Sequence, residues 1–267
     1  MRRRLDLEMV RRGIVKSRTE AAEAITAGKV VVGGRPAAKA SSLVSPSEPI
    51  HVTAPVRRFV SRGGEKLDAA LDRFAISTAG RRALDVGSST GGFVDCLLQR
   101  RATHVIAVDV GYGQLDWRLR EDPRVTVLER TNVRDLRPEE LPYLADLLTA
   151  DLSFISLGLA IGPLRRCSSP HADFVFLVKP QFEAGRRDVG ERGVVRDPDV
   201  WRRVLEGVEA HCRRQGLSPM DVMPSPLLGP AGNVEFLLHA REGEPLDTGP
   251  SRESAVAEAT HLVASHA

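Results

Sequence analysis

The chain has 267 residues, 42% hydrophobic and 27% charged, enough apolar content to build a core and too much for a disordered polymer. No run approaches the ~18 apolar residues of a membrane span, and the opening Met1-Arg2-Arg3-Arg4-Leu5-Asp6 lacks the apolar stretch of a secretory signal. The net charge of +3 hides an asymmetry: residues 1–60 carry 12 Lys+Arg against 5 Asp+Glu, and residues 61–267 carry the remaining 26 against 30.

Residues 5–53 read as a small αα-β module. An apolar helical stripe begins with Leu5, Met9 and Val10 and ends near Gly13. Ser17 and Glu20 have capping-box spacing and open a second helix, Thr19 to Ala27, closed by Gly28. Lys29 to Val32 forms a strand, Gly33-Gly34 a turn, and Ile50 to Val52 a returning strand. Arg3, Arg4, Arg11, Arg12, Lys16 and Arg18 cluster on or beside these helices. The expected division is a head at 1–56, a linker at 57–61 and a body at 62–267.

From residue 80 the pattern becomes strand, loop, helix, repeated. Strand-length apolar runs fall at Ala83–Val86, Val105–Val110, Val125–Leu128, Leu147–Ala150 and Phe174–Val178, with helices at Phe93–Arg101 and Ser156–Arg165. Such alternation predicts an α/β fold with a mainly parallel sheet covered on both faces. A helix at Val200–Gln215, an antiparallel edge pair around Asp221–Met223 and Val234–His239, and a last helix at Ser251–Val263 complete it. No internal repeat is visible. The three cysteines, Cys96, Cys167 and Cys212, are odd in number and widely spaced. They predict neither a disulfide framework nor a zinc site, and they fit a reducing cytoplasm.

The first body strand runs into Asp85-Val86-Gly87-Ser88-Ser89-Thr90-Gly91-Gly92-Phe93. Small residues there let backbone approach a ligand, and the following helix offers free N–H groups. The next strand ends in Asp109, placed to accept both hydroxyls of a ribose, and the third is followed by Thr131-Asn132, where a polar side chain could meet an adenine. The loop fits a nicotinamide fingerprint poorly and lacks the Walker Gly-Lys-Ser/Thr. With an acid before its first glycine it resembles motif I of S-adenosylmethionine methyltransferases, which makes Asp85, Gly87 to Phe93, Asp109, Asn132 and Asp151 the expected cofactor residues.

The acceptor can be sorted by chemistry. C5 of a pyrimidine needs a cysteine nucleophile, and all three cysteines read as packing residues. An exocyclic amine usually goes with an Asp/Asn-Pro-Pro-aromatic motif. Here the site reads Asp151-Leu152-Ser153-Phe154, without the prolines, which weakens that reading and leaves it open. A ribose 2′-hydroxyl needs a base; lysine can lose its proton when its surroundings favour the neutral form, arginine cannot. Only five of the 38 basic residues are lysine, and beyond residue 60 two lysines stand among 24 arginines. Those two are Lys66, ahead of the core sheet, and Lys179, at a strand end. Asp151 ends the fourth strand, and Glu235 lies in a late one.

Ser61-Arg62-Gly63-Gly64-Glu65-Lys66-Leu67, the Asp85–Phe93 loop, Asp109 to Leu115, Glu129-Arg130-Thr131-Asn132, Ala150 to Ser156, Val178 to Glu183 and Gly232-Asn233-Val234-Glu235 together resemble the TlyA family, and the head resembles an S4 RNA-binding domain. The resemblance covers nearly the whole chain. It implies a Rossmann-like class I methyltransferase domain of FtsJ type preceded by a small α+β S4 domain. It also implies S-adenosylmethionine as cofactor, no metal, and methylation of cytidine 2′-hydroxyls in ribosomal RNA of the small subunit (16S) and, in some members, the large (23S). It further implies a catalytic tetrad, Lys66, Asp151, Lys179 and Glu235. Lys179 would act as base or orient the oxygen, Asp151 and Glu235 would hold the lysines, and Lys66 would add positive charge. The family has also been called haemolysin. The alternatives are thus a membrane-active protein or a non-catalytic binder in ribosome assembly.

The partner expected is ribosomal RNA within ribosomal subunits, with no membrane and with oligomeric state open. The basic head would anchor RNA through phosphates, with steep salt dependence. Phe154 and Phe182 are candidates for stacking on a base or for the core. Gly185 to Gly193 has the composition of a mobile loop near Lys179.

Overall fold

The structure is a computed structural model. It describes residues 2–15, 17–26, 28–52, 58–190, 193–243 and 251–266. The chain divides into two compact units, Met1–Arg57 and Arg58–Ala267.

In the smaller unit, β1 (Arg3–Arg4) leads into α1 (Leu5–Arg11) and α2 (Arg18–Thr26), followed by β2 (Val30–Val32), β3 (Arg35–Pro36), β4 (Leu43–Val44) and β5 (Ile50–Val52). Ser17 caps α2 as its spacing predicts, its hydroxyl accepting the Glu20 N–H at 3.1 Å. Among the described residues, β2 pairs antiparallel with β3 and β5, and β1 with β4. Leu5, Met9, Ala21, Ile25, Val30 and Val44 make a separate small core. The paired two-residue strands are too short to leave a periodic trace in the sequence.

The larger unit begins at Arg58, so residues 58–61 of the expected linker pack as part of it, and Phe59 is buried in its core. Its helices are α3 (Gly63–Arg73), α4 (Gly92–Gln99), α5 (Trp117–Arg120), α6 (Ile161–Arg166), α7 (Pro180–Glu183), α8 (Pro198–Arg214) and α9 (Arg252–His266). Its strands are β6 (Arg82–Val86), β7 (His104–Val108), β8 (Val125–Leu128), β9 (Ala145–Ala150), β10 (Ser168–Val178), β11 (Leu217–Pro224) and β12 (Phe236–Glu242). The described residues form one seven-stranded sheet in the order β11-β12-β10-β9-β6-β7-β8. β8, β7, β6, β9 and β10 are parallel; β12 is antiparallel to both its neighbours, β10 and β11.

Successive strand residues point to opposite faces. Leu84, Val86, Ile106, Val108, Phe174 and Phe176 pack beneath α6, α8 and α9. Ala83, Val105, Ala107, Val175 and Leu177 pack beneath α3 and α4. Both faces are covered, which is why the strands read as unbroken apolar runs. The parallel strands end together at one edge of the sheet, where open α/β folds bind ligands.

Candidate active site

Four loops meet at that edge. A Cβ at Gly87 (φ +80°) would collide with the Asp151 carbonyl oxygen, so glycine is what lets the turn after β6 lie against the turn after β9. The Asp151 N–H in turn donates to the Val86 carbonyl at 3.0 Å. Phe236 pairs with Val178, so Glu235 enters the sheet beside the point where Lys179 leaves it. Helix α3, to which the sequence reading assigned no element, carries Lys66 to the same edge. Its start fits against α4 because Gly64 and Gly92 have no side chains; a Cβ would strike Phe59 at one and Ser61 at the other.

The four expected catalytic residues form two ion pairs. The Lys66 ammonium donates to Glu235 Oε2, with only 9% and 2% of the two side chains exposed. Lys179 Nζ lies 2.5 Å from Asp151 Oδ1 and donates to Ser153 Oγ at 2.9 Å. Ser153 is a partner that sequence reasoning missed.

Beside Lys179 lies a cavity of about 740 Å³ whose walls include Gly87, Ser89, Asp109, Asn132, Asp151 and Phe154. Both Asp109 carboxylate oxygens are oriented by backbone N–H groups, Ser89 at 2.8 Å and Gly111 at 2.7 Å. Asn132 caps a short 3₁₀ turn, its amide oxygen accepting from the Arg134 N–H at 3.1 Å. Others of the expected cofactor set stand elsewhere. Ser88, Thr90, Gly91, Gly92 and Phe93 do not line the cavity. Phe93 is a core side chain, and a Cβ at Gly91 would run into Leu119, so packing demands these residues locally.

Asp85 is fully buried one strand position behind the cavity wall. Burial pushes its carboxyl up to about 7, although Thr149 donates to one oxygen at 2.6 Å. Its other oxygen, Oδ2, is buried with no partner among the described residues. This orphaned acceptor, the oriented Asp109 carboxylate and a cavity of nucleoside size fit a ligand with a cationic end and a diol.

Phe154 is 90% exposed with φ +65°, and its ring lies 5.0 Å from that of Phe182. Neither belongs to a core cluster, the alternative considered for both. The segment expected to be mobile is tied in its described part. Asp188 accepts from Arg203 at 3.2 Å, the Gly190 N–H donates to Val194 O at 3.1 Å, and Asn233 donates to Gly193 O at 2.9 Å. Glu191 and Arg192 lie outside the described residues. The cysteines are buried, and burial pushes the Cys96, Cys167 and Cys212 thiols up to about 12, 11 and 12, far from thiolate chemistry.

In the smaller unit the arginines are partly spoken for. Arg4 and Arg18 flank Asp6 at 2.9 and 3.1 Å, and Arg11 and Arg12 flank Glu8 at 2.6 and 2.8 Å. These guanidinium hydrogen bonds hold both carboxyls down at about 2. Arg12 also donates to the carbonyls of Glu48, Ser45 and Pro46 at 2.8–3.0 Å. It clamps the turn at residues 45–48 to α1, and 20% of its side chain remains exposed. Arg3, Arg4, Arg11 and Arg18 are exposed; Lys16 lies outside the described residues.

A mostly parallel sheet with a glycine turn, a carboxylate oriented by backbone N–H groups and a cavity at the carboxyl edge of its strands has the architecture of a class I methyltransferase. The FtsJ-like methyltransferase family model matches residues 59–242, and the S4 domain model matches residues 3–50. A 16S/23S rRNA (cytidine-2′-O)-methyltransferase, TlyA, from Mycobacterium tuberculosis is 53% identical over 90% of each chain. A solved structure from Streptococcus thermophilus, described as a hemolysin, superposes with a TM-score of 0.79 at 36% identity, covering 99% of this chain and 98% of that one. The fold is shared with a protein from Listeria monocytogenes described as an S-adenosylmethionine dependent methyltransferase, at 16% identity and TM-score 0.51, over 69% of this chain and 100% of that one. The chain belongs to the TlyA family of S4-containing, FtsJ-like methyltransferases.

Proposed function

We propose that the protein transfers a methyl group from S-adenosylmethionine to the 2′-hydroxyl of cytidine in ribosomal RNA, in the 16S molecule and, as with the mycobacterial relative, the 23S molecule. The observation that carries this reading is that Asp151 and Ser153 both line the cavity and both contact Lys179. Lys179 is thus joined to the cofactor pocket by two side chains of one loop.

Asp109 would hold the ribose diol, Asn132 the base, and the Asp85–Gly87 turn the amino-acid end. The cofactor, when bound, supplies a methyl group on a cationic sulfur, electrophilic enough for an oxygen to take. Lys179 Nζ would hold the 2′-oxygen and remove its proton, a task lysine can perform and arginine cannot. Asp151 and Ser153 aim that nitrogen. Lys66 and Glu235 form a fixed charged wall, neutral as a pair. The exposed Phe154, set against half-buried Phe182, would offer a stacking surface for an unpaired base. In the smaller unit, Arg3, Arg4, Arg11 and Arg18 would contact phosphates.

No helix among the described residues is long and apolar enough to cross a membrane. Ribosomal subunits lacking the modification, incubated with the protein and labelled S-adenosylmethionine, should acquire label. Primer extension at low nucleotide concentration should then stop one position short of the modified cytidine. Lys179→Ala and Lys179→Arg should bind RNA and transfer nothing. Absence of label in both subunits with the parent protein would refute the proposal, and near-normal turnover by Lys179→Arg would remove the base role.

A further inference from the structure

The loop after β9 presents Asp151, Ser153 and Phe154 to the site; Leu152 and Ile155 pack on the core, and the Asp151 N–H holds its start to Val86. Phe154 sits at φ +65°, a strained value for a residue with a β-carbon. Beneath Ser156 lies a second cavity, of about 280 Å³, so close packing does not wedge the loop from that side. Two of the ties between this loop and the segment after β10 run through Lys179, to Asp151 and Ser153. Those are the ties the reaction has to disturb, because Lys179 must turn its nitrogen to the substrate oxygen.

A different residue holds the loop independently of Lys179. Glu183, at the end of α7 and four residues after Lys179, accepts the Ser156 hydroxyl at 2.7 Å on Oε2 and the Leu157 N–H at 2.7 Å on Oε1. Ser156 Oγ meanwhile accepts the Gly158 N–H at 3.2 Å, starting the 3₁₀ turn Leu157–Leu159. One carboxylate therefore fixes the far end of the loop and the start of the next helix to the segment that carries Lys179.

We propose that Glu183 is a positioning residue: it keeps Asp151, Ser153 and Phe154 in register with Lys179 while Lys179 exchanges its contacts for the target oxygen. The inference rests on the methyltransferase reading above for its catalytic consequence, and on geometry alone for the clamp. The carboxylate acts here as a pair of acceptors, and its charge is not required. Glutamine can serve both bonds, its carbonyl accepting from Leu157 and its amide donating to the Ser156 hydroxyl, which can accept as well as donate.

The test compares Glu183→Ala, Glu183→Gln and Ser156→Ala in the full chain. Hydrogen exchange over residues 155–159, read by mass spectrometry without cofactor or RNA, should accelerate in Glu183→Ala, accelerate less in Ser156→Ala, and stay near the parent in Glu183→Gln. In turnover, Glu183→Ala should lose about 10- to 100-fold in kcat, the scale of a misplacement near 1 Å. Its KM for S-adenosylmethionine should rise as well, because Asp151 to Ser156 line the cavity, and Glu183→Gln should recover most of both losses. Unchanged exchange in Glu183→Ala overturns the clamp. Normal kcat in that variant overturns the positioning role, and a Glu183→Gln as impaired as Glu183→Ala shows that charge acts instead. If the parent itself transfers no methyl, the function proposal fails while the exchange experiment still decides the clamp.

Discussion

Glu235→Ala leaves the Lys66 ammonium buried without its partner. The two side chains are only 9% and 2% exposed, so the pair belongs with buried ion pairs, where removing one member costs about 3–5 kcal/mol. The larger unit spans Arg58–Ala267, and in a domain of that size each kcal/mol moves the midpoint by about 2–4 °C. The expected fall is therefore roughly 6–20 °C. Both tryptophans, Trp117 and Trp201, lie in this unit, and Trp201 is buried against Phe236. Tryptophan fluorescence during heating consequently reports on the right unit. Lys66→Met combined with Glu235→Met removes both charges at similar volume, and the pair's desolvation cost disappears with its attraction. The double variant should melt within about 1–2 kcal/mol of the parent and still transfer no methyl. A loss under about 1 kcal/mol in Glu235→Ala would mean the pair behaves as an exposed one, and would refute the reasoning. A double variant that keeps normal turnover would make the pair scaffolding and take it out of the site.

Further outcomes are expected. Arg12→Ala should destabilise the smaller unit by about 1–3 kcal/mol, since the buried Glu8 carboxylate and two part-buried carbonyls lose a donor, whereas Arg3→Ala should leave its stability unchanged and lower the salt dependence of RNA binding; circular dichroism melts and binding titrations would separate the two. Asp6 and Glu8 are held at about 2 by their arginines. That contribution is present above the unfolded values near 4 and is lost as pH falls toward 2, so amide protection in the smaller unit should fail across that window, and less steeply in Asp6→Asn. Asp85 behaves oppositely. Its folded value near 7 lies above the unfolded one, so stability declines from about pH 4 to 7 and is flat beyond. The melting point of Asp85→Asn should gain on the parent across that range; a constant difference from pH 4 to 8 would show that the carboxyl does not titrate in the fold.

The body strands were legible because both faces of the sheet are covered, which turns each strand into an apolar run of the right length. Helix α3 was not, because its first residues, Gly63-Gly64, carry the signature of a turn. The reason for those glycines, contact with Phe59 and the α4 start, is a tertiary fact. The two ion pairs proposed as the catalytic set were visible as residues and not as geometry: no spacing tells which carboxylate meets which lysine, since 169 residues separate Lys66 from Glu235. The glycine loop misled in part. Composition cannot separate a glycine that makes room for a ligand from one that makes room for Leu119. The clamp made by Arg12 was hidden for a similar reason, its carbonyl partners lying 33 to 36 residues away.

The scarcity of lysine in the larger unit has two different physical grounds. At Lys66 the partner is a single buried carboxylate, and the ammonium is a compact charge on a flexible stem. A guanidinium there would bring five donors in a rigid fork to a pocket that gives the lysine one acceptor, leaving several unmade hydrogen bonds in a dry place. Lys179, whose side chain is 11% exposed, has two acceptors, Asp151 and Ser153, on the loop that lines the cavity, so a larger cation there keeps partners for its donors. What an arginine lacks there is the ability to give up a proton. Lys66→Arg should therefore fail in the melt, by about 1–3 kcal/mol for each unsatisfied buried donor, while Lys179→Arg melts like the parent and fails in turnover. Equal melting losses in the two variants would mean that packing alone keeps lysine at both positions.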